Sequence, residues 1–316
     1  MLKYLKMRKI IEIRQPEPAF YLTWVLNNIC TNSCDYCPKN LHSGTNHNYD
    51  WSHAKRFTEI ILEKYPRINV AISGGEPTLS PWFKDLVTMY SSRGHSVGMT
   101  TNGARSVRYY SEIAPHMSYI VMSYHPSFED PLLIEKALAC AEHTSTTVSV
   151  MMDSRFFDKS LEMFNRIAEN CPTLSIEPIR IHDWRVGHSL GRTYTTEQEE
   201  ILNNLPRVNA TIRNRPKIPS PPNSFAVYID GAIEPFNAQK LINDNNTNFR
   251  DWECNIGLDS LYVKYDGIIR LGNCIGSKTI GRLQDIDNIE WPTKSFICPQ
   301  NFCNCTTDVY IPKKQI

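Results

Sequence analysis

The sequence predicts an α/β protein: a (βα)6 partial TIM barrel followed by a small cysteine-rich domain with β-hairpins. Three observations lead there. Apolar β-like runs alternate with amphipathic helical segments from residue 19 to about 185. A proline-rich break follows at 206–223. Beyond it, short strands around Asp-Gly turns carry five cysteines between Cys254 and Cys305.

Residues 1–18 read as a lead-in strand or helix. Lys3, Lys6, Arg8, Lys9 and Arg14 make it basic, but Glu12, Arg14 and Glu17 interrupt any signal-peptide core. The barrel core is expected at 19–205. Its strand candidates are 20–26, 68–73, 95–100, 118–124, 146–152 and 174–181. Helical patterns lie between them at 50–65, 81–93, 106–116, 130–143 and 159–170, with a sixth at 196–205. Asp130-Pro131 offers an N-cap followed by proline at the first helical position, and Ser80-Pro81 does the same. Pro206, Pro216, Pro219, Pro221 and Pro222 mark 206–223 as a linker. In 224–316, Phe225–Ile233 and Leu261–Ile269 read as hairpins around Asp230-Gly231 and Asp266-Gly267.

A chain of 316 residues holds one large domain, or one domain plus a smaller one. Hydrophobic content of 41% and aromatic content of 10% suit a packed core. A net charge of +1 argues against a nucleic-acid partner, which needs a strong basic excess. No apolar stretch approaches the roughly 18 residues that span a bilayer, so no membrane partner is expected. A cytoplasmic location follows, where ten cysteines are metal ligands sooner than disulfides.

Barrel active sites lie at the carboxyl ends of the strands. Behind the first strand stand Cys30, Cys34 and Cys37 in a C-x3-C-x2-C spacing. Three thiolates this close can hold three irons of a cubane cluster, leaving a fourth iron open for chemistry. A zinc knuckle completed by His42 or His47 is the alternative. The second strand ends in Gly74-Gly75-Glu76-Pro77-Thr78. The glycines let a ligand approach the backbone, and Glu76 can accept a charge-assisted hydrogen bond from an ammonium group. An ordinary βα turn is the plain alternative. Asn102-Gly103 at the third strand end is either a turn or a ligand contact. Ser123 and His125 end the fourth strand, Met151-Met152-Asp153 the fifth, and Glu177, Arg180 and His182 mark the sixth. Arg180 suits a ligand carboxylate or a structural salt bridge. Cys140 and Cys171 read as buried structural thiols.

The cysteine trio with Tyr36 before its last member, and Gly74-Gly75-Glu76 one strand later, resemble the radical S-adenosylmethionine (SAM) superfamily. The resemblance implies a [4Fe-4S] cluster on Cys30, Cys34 and Cys37 whose open iron binds SAM. Reductive cleavage of SAM then yields a 5′-deoxyadenosyl radical that abstracts a substrate hydrogen. It implies SAM contacts from Gly74, Gly75, Glu76, Thr78, Asn102 and Ser123. As polar groups near barrel strand ends, His125 and Arg180 are the catalytic candidates, His125 facing substrate or simply a packed or surface histidine, and Arg180 pairing with a carboxylate of SAM or of substrate. A flavodoxin or ferredoxin is the implied electron donor.

The tail cysteines Cys254, Cys274, Cys298, Cys303 and Cys305 flank the Asp266-Gly267 hairpin and an Ile280-Gly281 turn. Simple arithmetic gives one four-thiolate site and one cysteine over. The pattern resembles the twitch domain, the short form of the SPASM extension, which implies one auxiliary [4Fe-4S] cluster. Six residues separate Gly267 from Cys274 where four are usual, and the terminal group is tighter than the longer array. Zinc is the alternative occupant. The remaining cysteine, Cys298 or Cys305, is a candidate hydrogen-atom donor. The expected reaction modifies a peptide or protein side chain, although no leader-binding domain precedes the barrel. A small molecule such as an aminocyclitol, sugar or nucleoside is the second substrate class. A zinc or electron-transfer metalloprotein without catalysis is the competing function.

Overall fold

The structure, a computed structural model, describes residues 8–44, 49–181, 193–212, 224–274 and 276–316. His47, His182 and linker residues 213–223 lie outside the described residues. The strands are β1 Ile10–Arg14, β2 Phe20–Val25, β3 Ile68–Ser73, β4 Ser96–Thr101, β5 Tyr119–Tyr124, β6 Ser145–Met152, β7 Ser175–Arg180, β8 Phe225–Tyr228, β9 Ile233–Pro235, β10 Trp252–Cys254, β11 Ser260–Val263, β12 Ile268–Arg270, β13 Thr279–Arg282, β14 Phe296–Ile297 and β15 Lys313–Gln315. The helices are α1 Trp51–Lys64, α2 Phe83–Ser91, α3 Val107–Ile113, α4 Leu133–Ala141, α5 Phe157–Asn170, α6 Thr196–Asn204, α7 Ala238–Asn243 and α8 Thr306–Tyr310. None is long and apolar enough to cross a membrane.

Two compact units emerge: residues 1–24, 49–70 and 221–316 in the first, and 25–48 and 71–220 in the second. The second holds the alternating βα core. Strands β4, β5, β6 and β7 pair in parallel and in chain order. The carboxyl ends of β2 and β3 enter the same unit, joined by Leu26 N–H donating to the Ser73 carbonyl at 2.7 Å. Strands covered on both faces are buried along most of their length, as β4 and β6 are. Helix α5 covers its sheet with Phe157, Ser160, Phe164 and Ile167, at the three-to-four residue spacing of one helical face. This is an α/β fold with a parallel sheet, as the periodicity predicted. The helices behind prolines begin later than expected. Asp130 accepts from Leu132 N–H at 3.0 Å and from the Lys136 ammonium, forming a turn ahead of α4 and not its N-cap. Ser80 likewise supplies a carbonyl to Phe83, and Trp82 is the N-cap of α2.

The first unit contains a six-stranded sheet in the order β14-β10-β15-β1-β8-β9. Both expected hairpins form, with Gly231 at φ +85° and Gly267 at φ +80°, left-handed values that favour glycine. The lead-in is not a free extension: β1 sits between β15 and β8, with Ile10 and Ile13 buried. β11 pairs in parallel with β2, from Ser260 opposite Tyr21 to Val263 opposite Trp24. Residues 8–24 therefore pair with the tail strands. The physical reason is edge pairing: short tail strands find their hydrogen-bond partners in the amino-terminal strands. One apolar core of this unit gathers Ile10, Ile13, Phe249, Trp252, Val309 and Ile311 with Cys254, Cys274, Cys298 and Cys303.

Candidate active site

The loop after β2 carries the cysteine trio, and the side chains that hold it come from successive strand ends. Cys34 is buried, while Cys30 and Cys37 are partly so. Burial pushes all three thiols up, Cys37 to about 11, and the charges of neighbouring trio members push Cys34 and Cys37 the same way. The three sulfurs thus share one electrostatic neighbourhood. Neutral thiols of this kind release protons when they bind a metal centre. Among the described residues no three His, Cys, Asp or Glu converge on a single-ion site. A cubane sets its cysteines on separate irons, so it needs thiolates spread around a body.

Past β4, Asn102 donates from Nδ2 to Cys30 Sγ at 3.4 Å and to Thr31 Oγ1 at 3.0 Å. Past β5, His125 Nδ1 lies 3.5 Å from Cys34 Sγ and 2.7 Å from the Tyr36 hydroxyl. Burial holds His125 down to about 4, so it is a neutral imidazole near pH 7. Past β6, Arg155 grips Asp35 through Nη1 and Nη2 at 2.9 and 3.2 Å, and the fully buried Asp153 at 2.7 Å. Hydrogen bonds to the two carboxylates raise the Arg155 pKa further. Sequence reading missed Arg155 and Asp35. Their spacing of 120 residues leaves no local signal.

The Gly74-Gly75-Glu76 turn packs against the same loop. Gly75 N–H donates to the Asn27 carbonyl at 2.9 Å and Glu76 N–H to the Ile29 carbonyl at 2.6 Å. A Cβ on Gly74 would lie 2.8 Å from the Asn27 carbonyl, and one on Gly75 would strike those of Ile29 and Leu41. The glycines let the chain's own backbone approach closely. Glu76 is fully buried. Its carboxylate accepts from Thr78 N at 3.0 Å, Thr78 Oγ1 at 2.6 Å, Thr101 Oγ1 at 2.9 Å and Asn102 N at 2.7 Å. Burial pushes its pKa up and these bonds pull it back. Thr78 therefore braces Glu76. Asn27 Nδ2 returns to the Glu76 carbonyl at 2.8 Å.

Other expected residues take different places. His125 faces the cysteine loop, not open space. Arg180 binds both oxygens of Glu199 on α6 at 2.7 Å and Asn203 at 3.3 Å. Ser123 is half-buried on β5 opposite Ser149. Glu177 accepts from Ser149 at 2.7 Å. Cys140 is fully buried in α4 and Cys171 caps α5, both apart from the trio's contacts.

The residues fit a bound cluster with a ligand beside it. The donor set is three thiols on one short loop. Asn102 Oδ1 is buried without a partner, on the side chain that already touches Cys30. Such an acceptor wants an N–H or O–H from a bound molecule.

Residues 24–176 match the radical SAM superfamily. Over 127 residues the chain is 26% identical to the tungsten-containing aldehyde ferredoxin oxidoreductase cofactor-modifying protein of Pyrococcus furiosus, covering 38% of this chain and 35% of that one. The match thus spans about a third of that relative's length. Among solved structures, anSMEcpe with bound AdoMet and Kp18Cys peptide is 14% identical, with a TM-score of 0.48 over 85% of this chain and 78% of its own. Streptococcus suis SuiB bound to precursor peptide SuiA is 14% identical, with a TM-score of 0.49 over 79% of this chain and 58% of its own. SuiB bound to S-adenosylmethionine is 11% identical, with a TM-score of 0.49 over 84% and 64%. The cysteine trio and the Gly74-Gly75-Glu76 turn both fall inside the stretch that matches the radical SAM superfamily.

Proposed function

We propose that this protein is a radical SAM enzyme with a [4Fe-4S] cluster on Cys30, Cys34 and Cys37, SAM beside Glu76 and Asn102, and an auxiliary cluster in a twitch-like tail. The observation that carries this is Asn102, which ties Cys30 to Glu76 and keeps a buried, unpartnered oxygen between them. When bound, the cluster and SAM supply a 5′-deoxyadenosyl radical that takes hydrogen from an unactivated C–H of the substrate. The chain's own residues do the positioning. Asn102, His125 with Tyr36, and Arg155 hold the cysteine loop, while Thr78 and Thr101 fix the Glu76 carboxylate. A flavodoxin or ferredoxin delivers the electron.

The tail thiols fit a second cluster by their chemistry. Burial pushes Cys254 and Cys274 up, Cys274 to about 12, and neighbouring cysteine charges add to both. Cys254, Cys274, Cys298 and Cys303 are buried in one apolar core, whereas Cys305 is only partly buried and not among its residues. The four buried cysteines are the proposed ligands, and Cys305 is the one over.

Anaerobic reconstitution with iron and sulfide, followed by SAM and a strong reductant, tests this. About eight irons per chain and 5′-deoxyadenosine are expected from two cubanes. Cys305→Ala keeps both. Four irons remove the tail cluster, and bound zinc without SAM cleavage removes the enzyme. Deuterium recovered in 5′-deoxyadenosine from a labelled peptide supports the proposed side-chain substrate. Recovery from a labelled aminocyclitol, sugar or nucleoside moves the substrate to a small molecule.

A further inference from the structure

Lys313 has no role in the chemistry so far, yet it is only 4% exposed. Lysine is almost never this buried without a paired charge. Its Nζ donates to the carbonyls of Asp308, Val309 and Ile311 at 2.8, 2.9 and 2.5 Å. It also lies 4.9 Å from the centre of the Phe249 ring. Neutral dipoles satisfy its N–H groups but leave a full positive charge inside an apolar core.

The sheet register shows what that charge faces. Lys313 lies directly opposite Cys254 in the β10–β15 pairing and opposite Ile13 in the β1–β15 pairing. Residues opposite one another in a ladder share a face. Cys298 extends β14, and its N–H donates to the Trp252 carbonyl at 2.9 Å, which sets it diagonal to Cys254 on that face. The charge of Lys313 reaches the thiols of Cys254 and Cys303.

A buried carboxyl group opposes it. Asp308 is 4% exposed and its Oδ2 has no hydrogen-bond partner. Backbone N–H groups of Asn273 and Cys274 face its carboxylate. Gly272 leaves it room: a Cβ there would come within 3.1 Å of Oδ1. The charge of Asp308 acts on Cys254, Cys274, Cys303 and Cys305. Arg270 is the other nearby cation, and its Nη2 donates to the carbonyls of Cys274 and Ser277.

We propose that Lys313 is the resident countercharge of the tail cysteine centre, opposed by Asp308, and that this pair sets the reduction potential of the cluster bound there. Thiolates around a cluster leave it anionic, and net charge is one of the levers on its potential. The proposal rests on the reading of the tail cysteines as cluster ligands. Both residues act as positioning groups, since neither is needed as a ligand.

The experiment is a redox titration of the reconstituted full-length protein, followed by the electron paramagnetic resonance signal of the tail cluster. Lys313→Met is expected to lower the reduced-to-oxidised ratio at the wild-type midpoint by about tenfold, which for one electron is about 59 mV more negative. Asp308→Asn keeps an oxygen for the Asn273 and Cys274 amides and is expected to move the midpoint the other way. If Lys313→Met fails to load iron because the end of α8 frays, Asp308→Asn carries the test alone. A simple capping role for Lys313 would lower stability and leave the midpoint in place. About eight irons with an unmoved midpoint in Asp308→Asn and in any loaded Lys313→Met overturns the proposal alone. Four irons in the wild type overturns the cluster reading beneath it.

Discussion

Asn102 shows how much one side chain can join. It bonds to a cysteine sulfur and to Thr31, its backbone reaches the buried acid, and its oxygen stays unpartnered. Groups that orient metal ligands typically cost 10–100-fold in affinity or activity when removed. Asn102→Ala is therefore expected to lower 5′-deoxyadenosine formation by about 10–100-fold and to speed iron loss to a chelator. Less than a twofold change in both would dismiss the bridge. At this scale the trio and the Gly-Gly-Glu turn were legible, because each is a compact motif just beyond a strand. Partners were not. A polar residue near a strand end announces the active end of a barrel but not which neighbour claims it. Arg180 met Glu199, and His125 met Cys34 and Tyr36. The two glycines stood out in the sequence, but a missing side chain does not reveal that the carbonyls of Asn27, Ile29 and Leu41 pack against them.

Among the elements, the core strands and helices came out close to their periodicity, while β1 did not. Its pairing with β8 shifts register between Ile10 and Glu12. An irregularity of that kind breaks the alternation of faces. Ile10 and Ile13, three residues apart, are buried, while Ile11 and Glu12 are only half so. That pattern reads as neither a clean strand nor a clean helix. The consequence is energetic: Ile13 is 1% exposed in an interior strand. Ile13→Ala is expected to destabilise the protein by about 2–5 kcal/mol through lost burial and a cavity. The half-buried Ile11→Ala should cost clearly less. Urea unfolding of the two variants checks this, and equal losses would contradict the assigned register.

For the whole molecule, the arrangement is less modular than the proline-rich break suggests. Tyr21 and Ser260 are neighbours in a parallel ladder with most of the chain between them. Periodicity reports local structure, so no pattern within β11 names its partner. Cys254, Cys274, Cys298 and Cys303 share a core with Ile10, Ile13 and Tyr21, which a cut at the linker would remove. A fragment of residues 224–316 therefore keeps all five tail cysteines but loses the strand between β15 and β8 and the parallel partner of β11. Its exposed edges and reduced core cannot meet the conformational entropy of folding. It is expected to show no cooperative urea transition and to hold no stable cluster, whereas the full chain does both. Dispersed amide resonances and a single unfolding step in the fragment would mean that β10–β15 close their sheet without β1. The amino-terminal strands would then be accessories to the tail and not part of its core.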